Sequence, residues 1–198
     1  MIIKIDSIPE NLKAYEVVSA KHILNPSKPF LDLEEFLNLP SPTEEDLGKL
    51  KANTELLEVC QRMVLTCLEK GGIGLSAPQI GINKRLFVIR NDEDTFTAYF
   101  NPIWAADSIS PFTGDKEGCL SVPNINAVVK RYTNIYADYI TFDEEMKPMR
   151  ITRHMKDLRA RIFQHECDHL DGYSILDRAD IPRAQRRDFK KRIMKTLP

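Results

Sequence analysis

The run His165-Glu166-Cys167-Asp168-His169 constrains this chain more than any other stretch of it. An HExxH spacing has chemical meaning only on a helix, where four residues amount to about one turn and bring two imidazoles to one face. Such a pair can grip a single divalent ion. Glu166 sits about 100° around the helix from His165, so it reaches water near an ion more easily than the ion itself. The competing interpretation is a solvated helix face that happens to hold two histidines and an acid.

Upstream, Glu117-Gly118-Cys119-Leu120-Ser121 supplies a thiol beside a glycine that lets backbone approach a ligand. Cys119 is the natural third ligand, and two nitrogens, one thiolate and an open position make a catalytic rather than a structural metal site. Taken alone, Cys119 is better explained as a buried small apolar residue. A third segment, Gly72-Ile73-Gly74-Leu75-Ser76-Ala77-Pro78-Gln79-Ile80-Gly81, follows an amphipathic helix. It can offer backbone N–H and C=O groups to an extended peptide, or it can be a helix stop and a turn. No lysine follows its glycines and no strand precedes them, which argues against a phosphate-binding loop.

Taken together, the three segments resemble peptide deformylase. Its GxGLAAPQ loop, EGCLS segment and QHExDHLxG helix are matched in the same order by residues 72–79, 117–121 and 164–172. The resemblance spans about Gly72 to Leu176. It implies an enzyme that removes the formyl group from the N-terminal formyl-methionine of nascent polypeptides and releases formate. It also implies Fe(II) bound by Cys119, His165 and His169, although thiolate and imidazole suit Zn(II), Ni(II) and Co(II) as well. Motif matching makes Glu166 the base and then the acid. The Gln79 side-chain N–H and the Leu120 backbone N–H become donors to the oxyanion. Ile73, Gly74 and Gly118 would offer backbone hydrogen bonds to the peptide, and a Glu117–Arg131 pair would hold the cysteine loop.

Helix spacing puts Leu158 and Ile162 on the face of His165, for the methionine side chain or for core packing. Asp168 either orients a neighbouring group or is a plain surface acid. Three residues depart from the family pattern. Arg161 replaces an apolar residue and would narrow or polarise the pocket mouth. Asn126 replaces an arginine common in bacterial relatives, and Ser76 replaces the first loop alanine, a small change. Two other functions fit parts of the pattern. A zinc peptidase shares HExxH but takes its third ligand downstream of the helix. A silent peptide-binding module would have little use for Glu166 and Gln79.

The 198 residues, 42% hydrophobic with a formal net charge of −1, suit one domain spanning 1–198 and show no pull toward nucleic acid or anionic membranes. No apolar stretch approaches about 18 residues, and the first residues lack the features of a signal or transit peptide, so a cytoplasmic location is expected. A reducing compartment leaves the four cysteines as thiols. Cys60 and Cys67 share a packing face, while Cys167 points away from the ligands. His22 and His154 have no partner pattern.

An α+β fold is expected, with antiparallel strands packed around the central HExxH helix. A first helix should start near Thr43 and carry apolar spacing from Leu47 to Leu68. A hairpin should form from 85–90 and 96–103 about Asn91-Asp92-Glu93-Asp94. Further strands are expected at 128–142 and 149–152, and the metal-binding helix over 152–170, stopped at Gly172. Residues 1–42 carry no assignable chemistry. Residues 182–196 hold Arg183, Arg186, Arg187, Lys190, Lys191, Arg192 and Lys195. They make a solvated terminal helix or a contact for ribosomal RNA phosphates, without sequence-specific nucleic-acid binding.

Overall fold

The computed structural model describes residues 1–23, 25–38, 43, 45 and 54–197. Strand β3 (Leu86–Arg90) sets the layering, because alternate side chains on a strand point to opposite faces and here both sets are apolar. Leu86 and Val88 pack against Cys60, Met63, Val64 and Cys67 of the helix Thr54–Glu69. Phe87 and Ile89 pack against Ala160, Phe163, Cys167 and Leu170 of the helix Asp157–Leu170. The sheet is therefore the middle layer between two helices. Phe163 centres the second interface, with its ring edge-on to Phe87 at 5.0 Å and to Tyr99 at 5.4 Å.

Among the described residues, six strands form one antiparallel sheet. Its order is β2 (Gly74–Ser76), β3, β4 (Thr95–Ala106), β7 (Asn134–Phe142) and β8 (Pro148–Lys156), with β1 (Ile2–Lys4) paired to β4. A separate two-stranded ribbon, β5 (Phe112–Cys119) and β6 (Val122–Tyr132), covers the other side of the second helix. The expected α+β arrangement is found, with strands on two sides of a central HExxH helix. The hairpin is found too. Asp92 Oδ1 accepts from the N–H groups of Asp94 and Thr95 at 2.9 and 2.8 Å and so closes its turn.

Several elements differ from expectation. The HExxH helix starts at Asp157, because Asn134–Lys156 register pairs residues 152–156 with β7 as strand. Asp157 takes φ +49 and donates its N–H to Thr133 O at 2.7 Å, so strand turns into helix with no spacer. The expected strand over 128–142 breaks at Thr133, where the chain passes from the ribbon into the sheet. Strand β5 was not expected, since its exposed Gly114, Asp115 and Lys116 give no apolar alternation. Residues 47–53 of the expected first helix lie outside the described residues. Gly172 ends the HExxH helix as expected, at φ +82, a left-handed backbone angle that suits glycine.

Candidate active site

Cys119 stands at the tip of the β5–β6 ribbon, where the register shifts between Gly118 and Cys119. Such an irregularity re-aims a side chain, and here it turns the thiol toward the HExxH helix. Cys119 Sγ lies 3.3 Å from His169 Nε2, which lies 3.2 Å from His165 Nε2. One ligand atom from each residue falls within 4.8 Å of the others.

The outer nitrogens decide what this triangle can hold. His169 Nδ1 is 2.9 Å from Tyr173 O, and His165 Nδ1 is 2.9 Å from Glu117 Oε2. A carbonyl and a carboxylate only accept, so each Nδ1 carries a proton and Nε2 is the ring atom left to face the thiol and the other imidazole. Burial would raise the Cys119 thiol, yet the facing imidazoles bring its pKa down to about 5. Burial would lower both imidazoles, yet the thiolate raises them. The triangle therefore draws positive charge to its centre, and its soft and borderline donors fit a divalent transition metal.

Glu166 is 3% exposed beside this triangle, and burial raises its carboxyl pKa. A Cβ on Gly74 would fall 2.5 Å from Glu166 Oε1, so only glycine lets the strand pass so close. The Gln79 amide is orientated by Ser76 N–H, which donates to Oε1 at 2.9 Å. Nε2 is left to donate to Ser121 Oγ at 3.3 Å, with Cys119 Sγ at 3.7 Å. These groups border a cleft of about 1180 Å³. All the residues expected to bind substrate, Ile73, Gly74, Gly118, Leu158 and Ile162, line it, as does Leu120. Ile73 and Leu158, 49% and 62% exposed, form apolar parts of its rim.

Glu117 and Arg131 are buried rather than solvated. Arg131 Nε and Nη2 donate to the two oxygens of Glu117 at 3.0 and 2.9 Å. Arg131 also pairs with Asp168, which accepts from Arg178 Nε at 2.9 Å, so Asp168 orients neighbours rather than facing water. Arg161 lines the cleft. Its guanidinium is held there by donating to Glu117 Oε1 at 2.7 Å, Val129 O at 2.9 Å and Thr113 O at 3.0 Å. Burial would raise the Glu117 carboxyl, but His165 and Arg131 hold it at about 2.

The sequence also gave no sign that the N-terminal segment reaches the site. Val18 N–H donates to Gln79 O at 2.7 Å and Ala20 N–H to Ser121 O at 3.0 Å, tying the amide loop to the cysteine loop. Tyr15, Glu16 and Val17 line the cleft. Cys60 and Cys67 are buried in the core as expected, burial pushing both up to about 12, and Cys167 points away from the ligands into the packing against the sheet. His154 stacks on Tyr136 and pairs with Asp107 on the surface, away from the cleft.

A thiolate, two imidazoles and a buried acid beside an open cleft are the equipment of a metal-dependent hydrolase that keeps one ligand position free. The family model for polypeptide deformylase matches residues 41–185. Peptide deformylase 2 of Gloeobacter violaceus is 38% identical over 132 residues, covering 65% of this chain and 68% of that protein. A peptide deformylase of Picosynechococcus is 36% identical over 148 residues, covering 72% and 75%. The crystal structure of a Synechococcus elongatus peptide deformylase in complex with actinonin superposes with a TM-score of 0.67 at 26% identity, covering 95% of this chain and 93% of that one. The chain belongs to the peptide deformylase family. It is an enzyme that removes N-formyl groups from nascent polypeptides, which decides against the peptidase and silent-binder alternatives. Among the described residues no helix is long and apolar enough to cross a membrane.

Removing the Glu117 carboxylate leaves Arg131 only its pair with Asp168, leaves Arg161 only carbonyl acceptors and frees the His165 ring. Glu117→Ala is expected to lose about 3–5 kcal/mol of stability in metal-free protein, and about ten- to a hundredfold in metal affinity. Denaturant unfolding in chelator and a competitive metal titration measure the two effects.

Proposed function

We propose that Cys119, His165 and His169 hold one divalent ion and that Glu166 is the proton carrier of formyl hydrolysis, within one catalytic domain spanning residues 1–198. The observation that supports this most strongly is the convergence of Cys119 Sγ and the two Nε2 atoms of His165 and His169 beside a buried carboxyl. The ion, Fe(II) in the cell and Zn(II), Ni(II) or Co(II) where those are supplied instead, contributes Lewis acidity that brings the pKa of water from about 15.7 toward about 7.

Glu166 takes the proton of the attacking water and returns it to the leaving amine, which would otherwise depart poorly. Its upward pKa shift suits both roles. The Gln79 Nε2–H and Leu120 N–H stabilise the oxygen that gains charge as the formyl carbon becomes tetrahedral. The methionine side chain lies along Leu158 and Ile162. Backbone groups of Ile73, Gly74 and Gly118 pair with the extended peptide that follows. Glu117 and Arg131 keep the cysteine loop and the His165 ring in register.

The location is the cytoplasm, where nascent chains emerge, and the C-terminal helix Arg183–Thr196 faces ribosomal phosphates. Phe189, Ile193 and Met194 pack inward, Arg186 donates to Ala179 O, and Lys190 pairs with Asp177. Arg183, Arg187, Lys191, Arg192 and Lys195 remain exposed.

Glu166→Gln is expected to keep its metal and lose at least about a hundredfold in formate release from formyl-Met-Ala-Ser, assayed anaerobically with Fe(II) and separately with Zn(II). Undiminished turnover would contradict the base. Cys119→Ala should lose the ion by elemental analysis, and full occupancy would refute the ligand set. Reversing Arg183, Arg187 and Lys191 to Glu should abolish co-sedimentation with ribosomes without changing turnover of free peptide. Unchanged sedimentation removes the ribosome contact.

A further inference from the structure

Strand β2 meets the Glu166 carboxyl at two positions on one face, Gly74 and Ser76, since residues i and i+2 of a strand point the same way. Gly74 stands at the cleft wall and leaves room for Oε1. Ser76 is fully buried behind that wall, and its hydroxyl donates to Glu166 Oε2 and lies 3.2 Å from the carbonyl oxygen of the same residue. The backbone N–H of Ser76 donates to Gln79 Oε1 at 2.9 Å. One residue thus touches both the acid and the amide that border the reacting position.

We infer that Ser76 is a positioning residue, which fixes the Glu166 carboxyl in the rotamer that leaves Oε1 for proton transfer and holds Glu166 and Gln79 in one rigid frame. The inference rests on the reading of Glu166 as proton carrier. A carboxyl pinned at one oxygen has a single face to offer. Without the hydroxyl its second oxygen loses that donor and is free to swing. The backbone bond to Gln79 survives substitution, so the hydroxyl can be tested separately from the amide. Ser76 has no contact with the reacting atoms, so its removal should act on the rate of the chemical step and not on peptide affinity.

The test uses the full Fe(II)-loaded chain and formyl-Met-Ala-Ser. Ser76→Ala should lower kcat about ten- to a hundredfold, the scale expected when a reacting group is mispositioned by a fraction of an ångström to an ångström. KM, metal content and the unfolding midpoint should stay unchanged. Unchanged kcat would overturn the inference. So would a loss of metal or of stability that accounts for the fall, because the hydroxyl would then be only a packing tie between strand and helix. Glu166→Gln, measured in parallel, separates the two readings. If that variant keeps its turnover, the base assignment fails and the ground for Ser76 goes with it. If it is inactive while Ser76→Ala is normal, only the role of Ser76 is overturned.

Discussion

The Glu117 carboxylate is the joint on which the site depends. It accepts from Arg131 on the neighbouring ribbon strand, from Arg161 on the HExxH helix and from the Nδ1 of His165. Two residues further along its own strand is Cys119. One buried anion therefore fixes the distance between the two elements that carry the three ligand atoms, and it sets the tautomer of one of them. A buried anion without such partners would cost several kcal/mol and would tend to protonate. With three cationic or N–H donors around it, the charge is held, and the ribbon cannot slide along the helix without breaking all of them.

Rigidity on the opposite side of the helix comes from packing. Ala160, Phe163, Cys167 and Leu170 face the sheet, so the turns that carry His165, Glu166 and His169 face the ribbon and the glycine-rich strand. The ligands are thus presented by a helix whose other face is locked into a close-packed aromatic cluster, where movement by even a methylene's width is resisted. Low polarity around Glu166 follows from the same burial. It raises the carboxyl and strengthens each electrostatic contact made there.

Much of this was legible in the sequence because the chemistry sits in short contiguous runs. HExxH, the cysteine segment and the glycine-rich loop are each short contiguous motifs, and periodicity locates the helix and the hairpin around them. What stayed hidden depends on contacts between distant parts of the chain. Strand β5 has no apolar alternation and exists through its pairing with β6. The reach of Arg161 to Glu117 and the tether from Val18 to Gln79 connect residues far apart in sequence, which no local pattern records. The same holds for Ser76, whose exchange with alanine looks trivial until its hydroxyl is seen against Glu166. The late start of the HExxH helix has a physical reason too. Residues 152–156 satisfy their backbone groups by pairing with β7, and that register outweighs their helical spacing.

The junction at Asp157, where strand β8 becomes helix without an intervening residue, has a consequence for how such a chain can change length. The strand register fixes where the helix begins, and the helix then counts off eight residues to His165. One residue inserted between the register and the motif would rotate the imidazoles by about 100° and advance them by about 1.5 Å, away from Cys119. The turn between β7 and β8 lies on the other side of that register and can lengthen without moving a ligand. A length change at that turn leaves the ligands in place, whereas one between Lys156 and His169 displaces them, so the strand acts as the ruler from which the metal site is measured.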